Sequence, residues 1–260
     1  MYTEKAIVLV SVGTTHLKVL DRTTNKLAEK IKERFPEYEV HQAFSSERIL
    51  KMMQEKQPDT FDSVEEMLEK LLARGVGKVI LQPTYIINGQ EQERLRAIVK
   101  EYQEDYQFDC IRIGRPLFNA KEDYQKALEA ILEIADLKEG EALLLVGHGT
   151  NHHANTEYQN LEYTAYVQGH RNVFVATLEG PQKLMILMRK LEITGCKKIK
   201  LMPLLFVAGK HAKNDIAGKE NSWKTRLEAA GYEVEPLLIG LGEMDKIQDL
   251  FVEHLDKIVR

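Results

Sequence analysis

Two histidines and a glutamate carry the strongest chemical signal in this chain. His148 follows the apolar run 143–146, Glu179 follows 173–176, and His211 follows 204–207 and Gly209. Each run has strand length, so the three side chains stand just beyond strand ends, where parallel α/β sheets bind their ligands. Singly, each has an ordinary reading. A strand-end histidine is often a hydrogen-bonded loop residue, and Glu179, before Gly180 and Pro181, suits a helix N-terminus, where the dipole favours a carboxylate. Together, two imidazoles and a carboxylate from three strand ends of one lobe can converge on one point. That donor set suits a borderline divalent transition metal with positions left open. His152 and His153 lie just beyond His148 and read as solvated or supporting residues. His16, His41, His170 and His254 have no partner visible in the sequence and are assigned no role.

The elements that must position these residues occur twice. Residues 5–14 resemble 141–150, each an apolar run ending in a glycine-containing loop, and 75–83 resemble 195–203, continuing to Gly89 and Gly209. Weaker matches pair 39–44 with 172–177 and 110–114 with 234–238. Between them lie helical stretches such as 63–74, 121–135 and 181–192, with apolar residues recurring at three and four. The order is β-α-β-α-β-α-β-α, twice. This predicts an α/β fold of two similar lobes, each a parallel sheet flanked by helices with right-handed crossovers. The near-continuous apolar runs fit strands buried on both faces. A junction over 137–140 gives an N-terminal lobe, 1–138, and a C-terminal lobe, 139–260, and the final helix, 245–259, suits either. The functional site is expected in the cleft where the halves face each other.

The two copies have diverged at their loops. Aligning Pro83 with Pro203 sets Glu91 opposite His211 and Gly89 opposite Gly209, while Val12 stands opposite His148. The N-terminal lobe instead offers Ser11, Gly13, Thr14, Thr15, Asn88 and Gly89. Backbone N–H groups and hydroxyls at helix N-termini favour anions such as carboxylates, with ordinary capping as the other reading. Ser11, Gly13, Thr14, Asn88, Gly89 and Glu91 are the expected substrate-contacting set. No G-x-G-x-x-G, G-x-x-x-x-G-K-[ST] or G-x-S-x-G follows any of these strands, which disfavours dinucleotides, P-loop nucleotides and hydrolase elbows.

Bulk properties narrow the class. The 260 residues support two lobes of ordinary domain size. A net charge of -4 with interspersed signs argues against a general nucleic-acid surface. Cys110 and Cys196 are far apart and form no C-x-x-C pair, so neither a zinc knuckle nor a disulfide framework is indicated. The first apolar run, 6–10, reads as a strand rather than an export signal, and no run approaches membrane-spanning length. A cytoplasmic, unanchored protein is expected, which disfavours a periplasmic-type binding protein.

Several segments in order carry a more specific likeness: Ser11-Val12-Gly13-Thr14-Thr15, Ile86-Ile87-Asn88-Gly89-Gln90-Glu91, Gly147-His148-Gly149 with His152-His153, Met202-Pro203-Leu204 through Ala208-Gly209-Lys210-His211-Ala212-Lys213-Asn214-Asp215, Ser222-Trp223-Lys224, and Gly240-Leu241-Gly242-Glu243. From end to end the chain resembles the anaerobic sirohydrochlorin cobaltochelatases, class II chelatases of the CbiK type. The resemblance implies a two-lobed chelatase that inserts Co²⁺ into sirohydrochlorin or precorrin-2 during cobalamin synthesis, with no organic cofactor. It implies that His148, Glu179 and His211 bind the metal and serve catalysis. The bottom-up reading adds that imidazole is both a ligand for such ions and a base near neutrality. The alternatives are a chelatase of the same fold handling Fe²⁺ or Ni²⁺, and a non-catalytic metal or tetrapyrrole carrier. Assembly into a homo-oligomer stays open. One departure stands out: Tyr85 occupies a position where the family leads one to expect histidine, so no donor role is carried over to it.

Overall fold

The computed structural model describes residues 4–104, 108–180 and 184–259. Its first series of elements is β1 (Lys5–Ser11), α1 (Leu17–Leu20), α2 (Thr24–Arg34), β2 (Glu39–Phe44), α3 (Glu47–Gln54), α4 (Val64–Ala73), β3 (Lys78–Pro83), α5 (Gln90–Glu104) and β4 (Cys110–Ile113). Helix α6 (Lys121–Ala135) leads into β5 (Glu141–Gly147), α7 (Thr156–Val167), β6 (Val173–Thr177), α8 (Leu184–Thr194), β7 (Lys198–Pro203), α9 (Trp223–Ala229), β8 (Glu233–Pro236) and α10 (Asp245–Val259). The first residues of the helix expected over 181–192 lie outside the described residues; its described part is α8.

Two four-stranded sheets result, ordered β2-β1-β3-β4 and β6-β5-β7-β8, with every pairing parallel. The duplicated α/β plan expected from the sequence is present down to the register. Val10 pairs with Pro83, and Val146 with Pro203. One bond beyond each strand end, the Thr84 amide donates to the Val10 carbonyl and the Leu204 amide to the Val146 carbonyl, both at 2.8 Å. Because β1 lies between two strands and packs α4 and α5 on one face and α2 on the other, residues 6–10 are all fully buried and show no alternation. Helix α4 begins in a capping box, with the Glu66 amide donating to Ser63 Oγ and the Ser63 amide to Glu66 Oε2. Its Val64, Met67, Leu68 and Leu71 then fall on one stripe against Val8, Val79 and Leu81. In the other sheet Leu184, Leu187 and Leu191 of α8 repeat this spacing against Leu144, Ile199 and Leu201. Among the described residues no helix is long and apolar enough to cross a membrane.

The compact units do not divide at 138. One comprises Met1–Asn119 with Gln248–Arg260, the other Ala120–Ile247. Helix α6 therefore belongs with the second sheet: it packs on α7, and the Lys200 ammonium on β7 donates to the Ala135 and Asp136 carbonyls at 2.8 and 3.1 Å. Most of α10 belongs with the first. Lys30 pairs with Asp249 at 2.5 Å, Arg34 with Asp256 at 2.7 Å, and Arg112 donates to the Ile258 carbonyl. A helix's own sequence states which stripe is apolar but not which sheet will cover it, which is why the expected junction is displaced.

Glu141 opens β5 with a buried carboxylate that accepts the Lys138 amide at 3.0 Å and pairs with Lys198 at 3.1 Å and Lys200 at 3.6 Å. The Lys138 amide above all, helped by the two lysines, holds this carboxyl below its ordinary 4.5 against the opposing effect of burial. A depressed native value stabilises the fold above the unfolded value and is lost as pH falls through the native one. Glu141→Gln is thus expected to lower the urea midpoint at pH 7, and the gap from wild type to narrow progressively below about pH 4.5. A gap that stays constant across that range would count against this role.

Candidate metal site

The end of β5 is shaped by glycine. Pairing with β6 continues past the strands, the Leu178 amide donating to the Gly147 carbonyl at 3.0 Å and the Glu179 amide to the His148 carbonyl at 2.8 Å. Gly149 then turns away with φ +80°, and a Cβ placed there would lie 1.9 Å from the Glu179 carbonyl oxygen. No other residue fits both the left-handed backbone and that approach. Beneath the turn lies the buried Tyr158, whose phenol is pushed up to about 12 chiefly by burial, partly offset by a backbone hydrogen bond with Gly149. His148 is thereby held at a fixed point, half-buried, with Nδ1 3.1 Å from the Gly149 carbonyl oxygen.

His211 arrives from β7. The chain leaves the strand through 204–209 and enters a π-helical turn, Ala212–Ile216, anchored by the buried Ala212 and Ile216. Such turns concentrate at functional sites. His211 stands at its head, with Nδ1 2.6 Å from Asp215 Oδ2. The His148 and His211 rings meet edge to face, with centroids 4.9 Å apart and planes at 87°.

The partners of the two Nδ1 atoms decide the tautomers. A carbonyl and a carboxylate oxygen can only accept, so each Nδ1 carries its proton and donates. In the neutral form of each ring Nε2 then carries the lone pair, the form in which imidazole binds a metal or takes up a proton. Asp215 was not singled out in the sequence reading. Its spacing of four residues from His211, one helical turn, was the available signal.

Glu179 is placed differently from expectation. Its backbone is tied to His148 as described, but its side chain is exposed, and among the described residues no three His, Cys, Asp or Glu side chains are gathered to hold an ion. The structure brings together the two imidazoles of the expected triad and leaves the carboxylate on their flank, because the bond linking Glu179 to His148 is a backbone bond that does not orient the side chain. His152 is a capping residue: its Nδ1 accepts the Ala154 amide at 3.2 Å, and its ring lies 3.9 Å from that of the exposed His153. His41 pairs with Glu39, and His254 is buried in α10.

In the first unit the loop after β1 is braced from within. Ser11 and Thr14 are only 3% and 5% exposed; Ser11 Oγ accepts from Thr84 Oγ1 at 3.0 Å, and Thr14 Oγ1 accepts the His16 amide at 3.1 Å. Their hydroxyls hydrogen-bond within the loop, as the capping alternative has it. Gly13, at φ +100°, and Asn88 remain partly accessible. Asn88 Oδ1 accepts from Arg96 at 2.7 Å, and the buried Gly89 starts α5 by accepting the Glu93 amide. Glu91 is exposed in the first turn of α5, where its charge suits the dipole. Tyr85 lies buried beside a cavity of about 30 Å³ shared with Ser45, Glu91 and Arg94. Burial pushes its phenol well above its ordinary value, and a phenol held protonated is a poor metal donor.

Comparison with known proteins agrees in family and fold. The family described as cobalt chelatase, CbiK, matches residues 5–260. The sirohydrochlorin cobaltochelatase of Salmonella typhimurium is 32% identical over 255 residues, which cover 97% of this chain and 95% of that protein. The sirohydrochlorin cobaltochelatase CbiKC of Nitratidesulfovibrio vulgaris is 33% identical over 261 residues, 99% of this chain and 91% of that one. Among solved structures, SirB from Bacillus subtilis with Fe³⁺ matches with a TM-score of 0.66 at 14% identity, covering 98% of this chain and 95% of the other, a likeness of fold.

Proposed function

The chain belongs to the cobalt chelatase family, CbiK, and from that premise we propose that it is a lyase inserting Co²⁺ into sirohydrochlorin, in cobalamin synthesis in the cytoplasm and without an organic cofactor. The observation that carries the site is the His148–His211 pair, with both Nδ1 atoms committed and both Nε2 atoms available.

Insertion exchanges one divalent ion for the two pyrrole N–H protons of the macrocycle. The enzyme must therefore hold the ion by bonds weak enough to give up, and must supply bases for two protons. A pair of neutral imidazoles meets both needs, since imidazole binds borderline ions and accepts protons near neutrality. His148 and His211 present the ion, and once it has passed to the macrocycle their Nε2 lone pairs are free to receive protons. Glu179, tethered through its backbone to His148, completes the ion's surroundings and helps to remove protons. In the first unit, Gly13, Asn88 and Gly89 are assigned to the macrocycle's peripheral carboxylates, with Ser11 and Thr14 fixing the loop that presents Gly13 and with Glu91 in the first turn of α5.

Imidazole pairs do not by themselves select Co²⁺ over Fe²⁺ or Ni²⁺. The test is an anaerobic absorbance assay with sirohydrochlorin, each ion in turn, and the protein at catalytic and at stoichiometric amounts. Multiple turnovers, fastest with Co²⁺, are expected. Turnover fastest with Fe²⁺ or Ni²⁺ reassigns the ion, and a spectral change that stops at one equivalent makes the protein a carrier.

A further inference from the structure

The carboxyl edge of the first sheet carries a charge that neither the fold nor the metal site uses. Loops 12–16, 45–46, 84–89 and 114–119 leave that edge, and together they hold a single Lys or Arg, Arg115. Its side chain is exposed, and its guanidinium has no hydrogen-bond or ion-pair partner among the described residues. The two arginines early in α5 are by contrast engaged, Arg94 with Glu47 and Arg96 with Asn88. The backbone that carries Arg115 is fixed from both sides. The Gly114 amide donates to the Leu81 carbonyl at 2.7 Å and the Leu117 amide to the Tyr85 carbonyl at 2.8 Å, so the loop runs beside the one that ends in Asn88 and Gly89. Two buried glutamines hold the stretch between these bonds: Gln82 Nε2 donates to the Arg115 carbonyl at 3.0 Å, and Gln92 Nε2 to the Gly114 carbonyl at 3.1 Å. Pro116 then restricts Arg115 to extended backbone. The second unit shows that the fold does not ask for the charge. There the Leu237 amide makes to the Leu201 carbonyl, at 2.8 Å, the bond that Gly114 makes to Leu81, which sets Leu238 at the place of Arg115.

We propose that Arg115 is a specificity-determining residue that binds a peripheral carboxylate of the macrocycle. This rests on the chelatase reading, which supplies a substrate edged with carboxylates. Loops beyond the carboxyl ends of parallel strands are where such sheets bind their ligands, and Arg115 stands in one of them. In the chelatase reading Gly13, Asn88 and Gly89 meet the carboxylates with neutral groups; Arg115 adds the one full positive charge that the loops of this edge possess. A guanidinium keeps that charge at any working pH, and its fork matches both oxygens of a carboxylate. Its backbone is held in place before any ligand arrives, so little ordering is left to be done on binding. A tetrapyrrole that lacks a carboxylate at that place leaves the charge unanswered, and Arg115 therefore favours carboxylate-rich macrocycles over others. The divergence of the copies has the same sense as at the metal site: one unit acquired imidazoles for the ion, and the other holds a cation where its counterpart has an exposed leucine.

The test has two arms on the full chain: titration with sirohydrochlorin in the absence of metal, followed by absorbance, and initial rates with sirohydrochlorin and Co²⁺ varied separately. Arg115→Leu, the residue of the other copy, is expected to raise both Kd and KM for sirohydrochlorin about tenfold while KM for Co²⁺ and the far-UV circular dichroism stay at their wild-type values. Arg115→Lys, which keeps the charge and loses the fork, should fall between the two. Added salt should weaken tetrapyrrole binding more steeply in the wild type than in Arg115→Leu. A folded Arg115→Leu protein with the wild-type Kd and KM for sirohydrochlorin overturns the proposal, and so does a variant whose KM for Co²⁺ rises as much as that for the macrocycle. Failure of the chelatase reading looks different. A wild type that binds sirohydrochlorin without turning it over is a carrier, and the binding arm still decides the role of Arg115; a wild type that does not bind sirohydrochlorin overturns both.

Discussion

Replacing His211 with alanine is expected to lower kcat/KM for cobalt insertion by at least about a hundredfold, some 2.7 kcal/mol of transition-state stabilisation. The loss follows from the geometry of the pair. In the proposed mechanism the two rings, with centroids 4.9 Å apart, share one ion; a single imidazole would hold it loosely and leave one base for two protons. His148→Ala should match it within a small factor, because the two residues contribute equivalent atoms. Asp215→Asn should be milder, about ten- to a hundredfold and chiefly in KM for the metal, since Asp215 acts only by keeping the His211 proton on Nδ1. An amide in its place can turn its NH₂ towards Nδ1 and favour the wrong tautomer. Initial rates over a range of Co²⁺ concentrations separate these effects, and a His211→Ala enzyme with the wild-type rate would remove the residue from the mechanism.

Gly149→Ala is expected to be the most damaging single methyl in the second unit, costing about 3 kcal/mol or more of stability. The added Cβ would meet the Glu179 carbonyl oxygen at 1.9 Å and Thr177 Cβ at 2.6 Å. Neither neighbour can retreat freely, because the Glu179 amide is bonded to His148 and the Leu178 amide to Gly147. Relief must come from opening the junction between the β5 and β6 ends, which moves His148 away from His211, so activity should fall even in the folded fraction. Gly140→Ala is the control. It has nearly the same backbone, φ +78°, but open space around its Cβ, so only the conformational cost of about 1 kcal/mol is expected. Urea unfolding of the two variants measures the clash as the difference between them; equal losses would show that backbone conformation alone is responsible.

The strands were legible because a strand buried on both faces leaves an unbroken apolar run, and residues 6–10 and 142–146 are such runs. Their repetition made the duplicated plan readable without any long-range information. The allocation of α6 and α10 was not legible, since it depends on contacts such as Lys200 with the Ala135 carbonyl, which are remote in sequence. At the site, His148 and His211 stood out because histidine directly after an apolar strand is unusual and the corresponding positions of the other copy hold Val12 and Glu91. The polar loop residues were less legible, for a complementary reason. A serine or threonine in a loop looks the same in sequence whether its hydroxyl faces a ligand or, like Ser11 Oγ with Thr84, is spent inside the loop.

Lys200 has a further consequence in mechanical terms. The connection 136–140 contains a residue with φ +42°, Asp136, and a glycine with φ +78°, and by composition it would be taken for a joint about which α6 swings. Yet the buried ammonium bridges the carbonyls of Ala135 and Asp136 to β7, and Glu141 at the far end ties back to the Lys138 amide and to the same lysine. A force pulling on α6 would pass through Lys200 into an inner strand of the sheet rather than flexing the loop. The segment is a weld, and α6 moves with the sheet that carries His148 and His211.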